Sequence, residues 1–313
     1  MTTELPAPES PFPARPEPSS NASASPASDD AATPTASHAV SAKPLPVEFP
    51  LTSFASTPHN VSCIGFCLGA CWFLGLSLAA RAVSSKWFVW TPSAGAAVAS
   101  ELPAQGWATA LSSPQLGMYL ASWAWFHLLE FVVTSMYNPG KLSASSYLLD
   151  NGREYFAAHL AGLVEHVLEE VYLPPQYRVY KHSGGVFLLG LATVAVGQFL
   201  RSFAMICASS NFSHMRAVPA VSRLAYRKLP SHQLVKTGIY AWSRHPSYAG
   251  FYWWAVGTQI MLGNPLCTIL FVGVLQYFFS DRIRIEEVYL VRFFGKDYED
   301  YRAKVPTRIL FIR

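Results

Sequence analysis

Four side chains near the C-terminus have the types and spacing to hold a polar ligand. Arg282 and Glu286 are four residues apart, which puts a guanidinium and a carboxylate on one helix face. His245 and Tyr248 stand at the start of the apolar run 248–280, which Gly263-Asn264-Pro265 interrupts once. Turn chemistry at that tripeptide folds the run into a helical hairpin, so its two open ends meet. A cation, a carboxylate, an imidazole and a phenol are therefore expected at one membrane surface. The plainer alternative is an i,i+4 ion pair with interfacial anchors. Residue types alone leave the two readings level.

The elements that must position these groups are apolar helices. The 313 residues are 51% hydrophobic and only 13% charged, with a mean hydropathy of +0.22. That charged share is about half the roughly 25% usual in soluble domains, and a bilayer removes the need to bury so much apolar surface. A spanning helix needs about twenty mainly apolar residues. Residues 61–83, 114–137 and 184–208 qualify, the second despite His127 and Glu130, the third despite Arg201. Residues 155–173 are weaker, because His159, Glu165, His166, Glu169 and Glu170 interrupt them. With the hairpin arms of about fifteen residues, roughly 22 Å each, the expectation is an all-α, polytopic integral membrane protein. It has about six spans, with room for seven or eight. Residues 87–99 are too short and too marked by Pro and Gly to assign.

Basic residues set the orientation. Residues 209–246 hold Arg216, Arg223, Arg227, Lys228, Lys236 and Arg244 and no acid, and the tail from 281 holds eight bases. A hairpin returns both flanks to one side, and the positive-inside rule makes that side cytosolic.

Residues 1–50 differ from the rest. They hold six acids, two bases and eleven of the 23 prolines, leaving thirteen acids and twenty-one bases in residues 51–313. Without apolar periodicity this stretch cannot offset its ordering entropy, which predicts a disordered Pro/Ala/Ser-rich tail ahead of a membrane domain at 51–313. Residues 1–50 are not a secretory signal either, since no basic start leads into an apolar core. Cys63, Cys67 and Cys71 recur every fourth residue and read as small thiols packed between helices rather than as zinc ligands.

Intramembrane polar residues are functional by default. Arg201, a charge within a span, is therefore a candidate site residue. His127 with Glu130, and His159 with Glu165 and His166, read as interhelical hydrogen-bonding groups rather than metal ligands. Asn211 and His214 are expected to shape the cytosolic site. Phe251, Tyr252, Trp253 and Trp254 suit either an apolar path or a lipid-interface belt.

A larger pattern surrounds these residues. LVKTGIYAWSRHPSY, GTQIMLGNP, the DR…EE element at 281–287 and FFGKDYEDYRAKVPTRILFI occur together, with FHLLEF (126–131), YNPGKLS (137–143), REYFAAH (153–159) and GQFLRSFAMICASSNFSH (197–214) upstream. Over roughly residues 115–313 the chain closely resembles the isoprenylcysteine carboxyl methyltransferase family. The hairpin and RHPSY alone would be less specific, because phospholipid N-methyltransferases and sterol reductases look similar there. The resemblance implies a catalytic region at about 197–313 with cytosolic cofactor-binding segments, S-adenosyl-L-methionine being held by His232, Gln233, Leu234, Val235, Tyr240, His245, Pro246, Ser247, Tyr248 and Glu286, with Arg282 on the substrate carboxylate, Arg201 on that carboxylate or supporting the site, and no metal. It implies prenylated CaaX proteins, such as Ras-like small GTPases, and membrane lipid as partners, no nucleic acid, and a site on the cytosolic face of the endoplasmic reticulum membrane. The family's Gln after the Asn-Phe-x-His element is absent, since Met215, Arg216 and Ala217 follow His214, and the linker to His232 is longer than usual.

The implied chemistry suits the residues. A free α-carboxylate has a pKa of about 3.3–3.7, so the nucleophile is ionised at neutral pH without a general base. Alignment and removal of water remain for the protein to supply. A phospholipid N-methyltransferase is the second reading, a sterol reductase the third and a non-enzymatic polytopic scaffold the fourth. FHLLEF and NFSH favour the prenylcysteine reading over its enzyme relatives.

Overall fold

The computed structural model describes residues 55–84, 87–90, 102–212 and 233–312. The tail 1–50, His214, His232, the linker 215–231 and most of 87–99 lie outside the described residues. Seven longer helices follow in order: α1 (Pro58–Ser84), α2 (Pro114–Tyr137), α3 (Arg153–Tyr172), α4 (Gly184–Ala208), α5 (Pro246–Leu262), α6 (Pro265–Phe294) and α7 (Lys296–Lys304). Single-turn helices join several of them, and the described residues form no strand.

Four stretches are long and apolar enough to cross a membrane: Pro58–Ala80, Trp107–Tyr137, Gly184–Asn211 and Pro265–Phe294. Their outward faces carry Phe66, Phe73, Leu189, Phe199, Ile269 and Tyr277, all more than half exposed. Such apolar exterior surface suits lipid. Of the six expected spans, α3 is the polar one and α5 is only 17 residues long, about 26 Å.

Small residues let the helices meet backbone to backbone. A Cβ on Gly75 of α1 would lie 2.5 Å from the carbonyl oxygen of Gly117 in α2. Along α4 and α5, a Cβ on Gly197 would lie 2.3 Å from the Trp254 nitrogen, and one on Gly250 2.5 Å from the Arg201 nitrogen. Without a hydrophobic drive between helices in lipid, close packing of this kind holds them together. Beside these crossings Phe126, Val194, Tyr252, Trp254, Phe271, Phe279 and Ile283 form the main core.

The expected hairpin is present. Gly263 takes a left-handed φ of 69° to end α5, and Pro265 opens α6 at its first turn. Its second arm is longer than read from sequence: α6 runs unbroken for 30 residues, about 45 Å, and carries Arg282 and Glu286 itself. At the turn, Glu165 of α3 accepts from the Leu266 and Cys267 amides (2.8 and 2.6 Å). That carboxylate satisfies orphan donors at the start of α6 and complements its macrodipole. The Lys181 ammonium donates to the Leu262 carbonyl (3.2 Å), Asn264 Oδ1 (3.3 Å) and Glu169 Oε2 (2.8 Å). Two of the polar residues that weakened α3 as a span, Glu165 directly and Glu169 through Lys181, thus hold the hairpin turn.

The cysteine expectation needs correction. Cys63 and Cys67 are exposed and only Cys71 is half-buried, because α1 turns its Leu68–Gly75 face toward α2. A four-residue repeat drifts around a 3.6-residue helix, so the three thiols do not share the packed face.

Candidate functional site

The site lies at the open end of the hairpin. Residues 238–241 form one turn of 3-10 helix, after which the loop to Pro246 enters α5. The C-terminal segment folds back beneath this loop. The Arg244 amide donates to the Pro306 carbonyl (3.1 Å), Ser243 Oγ to the Thr307 carbonyl (2.6 Å) and the Tyr301 hydroxyl to the Tyr240 carbonyl (2.6 Å). The RHPSY and VPTRI elements are therefore two halves of one support.

The hairpin brings its two mouths into contact. Arg282 Nε donates to the Tyr248 hydroxyl at 2.9 Å, and its guanidinium carbon lies 5.5 Å from the Tyr248 ring centre and 5.9 Å from that of Phe278. The His245 and Tyr248 rings are nearly parallel, their centres 5.6 Å apart. His245 Nε2 donates to Glu287 Oε1 (3.2 Å), while Nδ1 lies 3.9 Å from Glu286 Oε2. That Glu286 oxygen is buried and has no hydrogen-bond partner. A buried acceptor left open is costly unless a ligand meets it.

Tyr240 sits within the electrostatic reach of Glu286, Arg201 and Cys207, and its hydroxyl donates to the Ala204 carbonyl at 3.4 Å. Burial, reinforced by the Glu286 charge, pushes this phenol well above its ordinary range. Burial likewise pushes Tyr301 up to about 12. Both phenols therefore stay neutral donors at any physiological pH.

Arg201 of α4 is buried and held on two sides. Its Nε and one terminal nitrogen donate to the two oxygens of Glu130 in α2 (2.7 and 2.9 Å), and the other terminal nitrogen donates to Ser247 Oγ (2.5 Å). Phe212 covers the guanidinium, its ring centre 5.6 Å away. Pro246, Ser247 and Tyr248 thus form the first turn of α5 between the two arginines.

The segment 233–235 is placed elsewhere on the same end. The Gln233 amide donates to Asn211 Oδ1 (3.0 Å) at the end of α4, and Leu234 and Val235 are half-buried. Loop 137–143 braces that corner: Asn138 and Lys141 both donate to the Phe212 carbonyl, at 2.9 and 2.7 Å. Among the other intramembrane groups, His127 bonds the Tyr155 hydroxyl and the Tyr147 carbonyl. No cluster of three or more His, Cys, Asp or Glu able to hold a metal occurs among the described residues. In the aromatic run, Tyr252 and Trp254 are fully buried, so it is not a lipid belt throughout.

Two residues of consequence were missed in the sequence. Glu130 was read only as a hydrogen-bonding group, although an acid and a base on separate spans call for pairing. Glu287, the last residue of the DR…EE element, has no role that its spacing predicts. It receives Arg244 Nε (2.5 Å) and His245, with Arg302 3.5 Å away, and so fixes the imidazole.

Fold and site together define an all-helical membrane protein with a mixed-charge polar site at one end of a helical hairpin. A sequence model of the isoprenylcysteine carboxyl methyltransferase (ICMT) family matches residues 188–292. The chain is 44% identical over 198 residues to the protein-S-isoprenylcysteine O-methyltransferase of Saccharomyces cerevisiae, covering 62% of this chain and 79% of that one. It is 39% identical to the Homo sapiens protein of the same name, over 63% of this chain and 65% of that one. A solved structure of the eukaryotic intramembrane Ras methyltransferase ICMT superposes with a TM-score of 0.58 at 35% identity, covering 65% of this chain and 70% of that one. The chain belongs to the isoprenylcysteine carboxyl methyltransferase family, and it is a membrane enzyme.

Proposed function

We propose that the enzyme transfers a methyl group from S-adenosyl-L-methionine to the C-terminal carboxylate of a prenylated cysteine, farnesyl or geranylgeranyl, in processed CaaX proteins. Ras-like small GTPases are the expected class of acceptor. The observation that carries this reading is the buried oxygen of Glu286 that lacks a hydrogen-bond partner, one helical turn from Arg282 and 3.9 Å from His245 Nδ1. An open carboxylate oxygen fits the ammonium or hydroxyl groups of S-adenosyl-L-methionine, and a guanidinium fits a carboxylate.

His232, Gln233, Leu234, Val235, Tyr240, His245, Pro246, Ser247, Tyr248 and Glu286 are proposed to hold the methyl donor. When bound, it supplies an electrophilic methyl on a sulfonium. Arg282 orients the acceptor carboxylate, and Tyr248 holds Arg282. Arg201 supports the site or meets the same carboxylate. No residue needs to remove a proton, because the acceptor is already ionised. The helices around the site exclude water, and the prenyl chain stays in lipid or in an apolar cleft between helices.

The acid-free basic stretch 209–246 and the eight bases from 281 flank the hairpin on its site side. That asymmetry supports a site facing the cytosol; six or more spans rest on apolar length, and the endoplasmic reticulum membrane on the family resemblance. The test is methyl transfer from labelled S-adenosyl-L-methionine in membranes given N-acetyl-farnesylcysteine. A base-labile methyl ester on the prenylcysteine is the expected result. Label on lipid would replace this reading by phospholipid N-methylation, and absence of turnover by a scaffold.

A further inference from the structure

Arg201 and Arg282 are both set from adjacent residues of one helical turn. Ser247 accepts from Arg201 and Tyr248 accepts from Arg282, at 2.5 and 2.9 Å. There is little slack between the helices here, since a Cβ on Gly250 would reach within 2.5 Å of the Arg201 backbone nitrogen. The remaining determinant of the Arg201 fork is Glu130, which meets it through both oxygens from α2. Glu130 is 1% exposed and Arg201 6%. At that depth an unbalanced guanidinium is costly, and a bidentate carboxylate fixes its plane as well as its charge.

We propose that Glu130 is a positioning residue for methyl transfer, acting through Arg201. It turns the guanidinium into a preset, charge-balanced donor whose remaining N–H groups face the bound reactants at the level of Ser247. Balance matters for this reaction. A bare cation beside the acceptor carboxylate would stabilise the ground state and blunt its attack, whereas a neutralised fork orients without quenching. The inference rests on the methyl-transfer reading and adds to it a residue that touches Arg201, not the reactants.

The test compares Glu130→Gln, Glu130→Asp and the exchanged pair Glu130→Arg/Arg201→Glu in detergent or nanodiscs. Thermal unfolding is read alongside kcat per folded molecule and KM for both reactants, using whichever acceptor the wild-type enzyme methylates. Glu130→Gln keeps the shape but loses one charged oxygen. Its kcat is expected to fall about 100-fold, with each KM changed less than about threefold. The exchanged pair is expected to recover thermal stability without recovering kcat, because a carboxylate then stands where the fork was. Recovery of turnover in the exchanged pair would show that the pair is only a brace and overturn the proposal. So would Glu130→Gln losses that merely track the folded fraction. Should that variant or the exchanged pair fail to fold, Glu130→Asp decides, since it keeps the charge but draws the carboxylate back by one methylene; unchanged kcat per folded molecule would then overturn the role. A wild-type enzyme that methylates lipid but not prenylcysteine would sink the functional reading while leaving the Glu130 comparison intact.

Discussion

Arg282→Lys tests whether geometry or charge matters at the proposed carboxylate site. The guanidinium uses Nε to reach the Tyr248 hydroxyl at 2.9 Å and lies against the Tyr248 and Phe278 rings. Held in this way, its terminal nitrogens present a plane. Lysine has no nitrogen at the Nε position, so the tether to Tyr248 goes with the plane, and a single ammonium must serve both the phenol and the ligand. A hydrogen bond to a charged group contributes about 1.5–3 kcal/mol, and a misplacement of about 1 Å slows such a step about 100-fold, or about 2.7 kcal/mol. The two figures agree, so kcat should fall about 100-fold. The helix register and net charge are kept, so thermal stability and cofactor affinity should change little. The assay is kcat and KM with N-acetyl-farnesylcysteine, with S-adenosylhomocysteine affinity as control. A kcat within threefold of wild type would refute the reasoning and reduce Arg282 to a source of charge.

Glu286→Gln is expected to weaken S-adenosyl-L-methionine at least tenfold, because the open buried oxygen becomes an amide position; calorimetry checks it, and an unchanged cofactor affinity with lost prenylcysteine affinity would reassign the residue. Gly250→Val should lower stability by about 1–3 kcal/mol, since even its Cβ meets the Arg201 backbone; an unshifted melting temperature in detergent would contradict the packing. Deleting residues 1–50 should leave specific activity within about twofold, because their composition does not support packing; a tenfold loss in properly inserted protein would show that the tail contributes to the enzyme.

Local chemistry made much of this protein legible in its sequence. Gly263-Asn264-Pro265 specifies a turn whatever surrounds it, and four-residue spacing puts Arg282 and Glu286 on one face by helix geometry alone. Together these sufficed to bring Tyr248 to Arg282. Apolar length likewise marked the strongest spans, and it understated α6 only because its charged end continues as helix beyond the apolar run.

Tertiary structure alone decided which polar groups belong together. Glu130 and Arg201 are 71 residues apart, and Glu165 caps a helix 101 residues further on. No periodicity links such positions, because each pairing depends on which helices lie side by side and at what height. The same dependence decides the thiols: Cys63 and Cys67 face outward because the Gly75–Gly117 contact turns α1 about its axis. Glu165, which looks like a blemish in α3, caps a neighbouring hairpin turn, while Glu169 and Glu170 pair with Lys181 and Arg178. A buried polar group must find a partner in the folded chain, and sequence names the need without naming the partner.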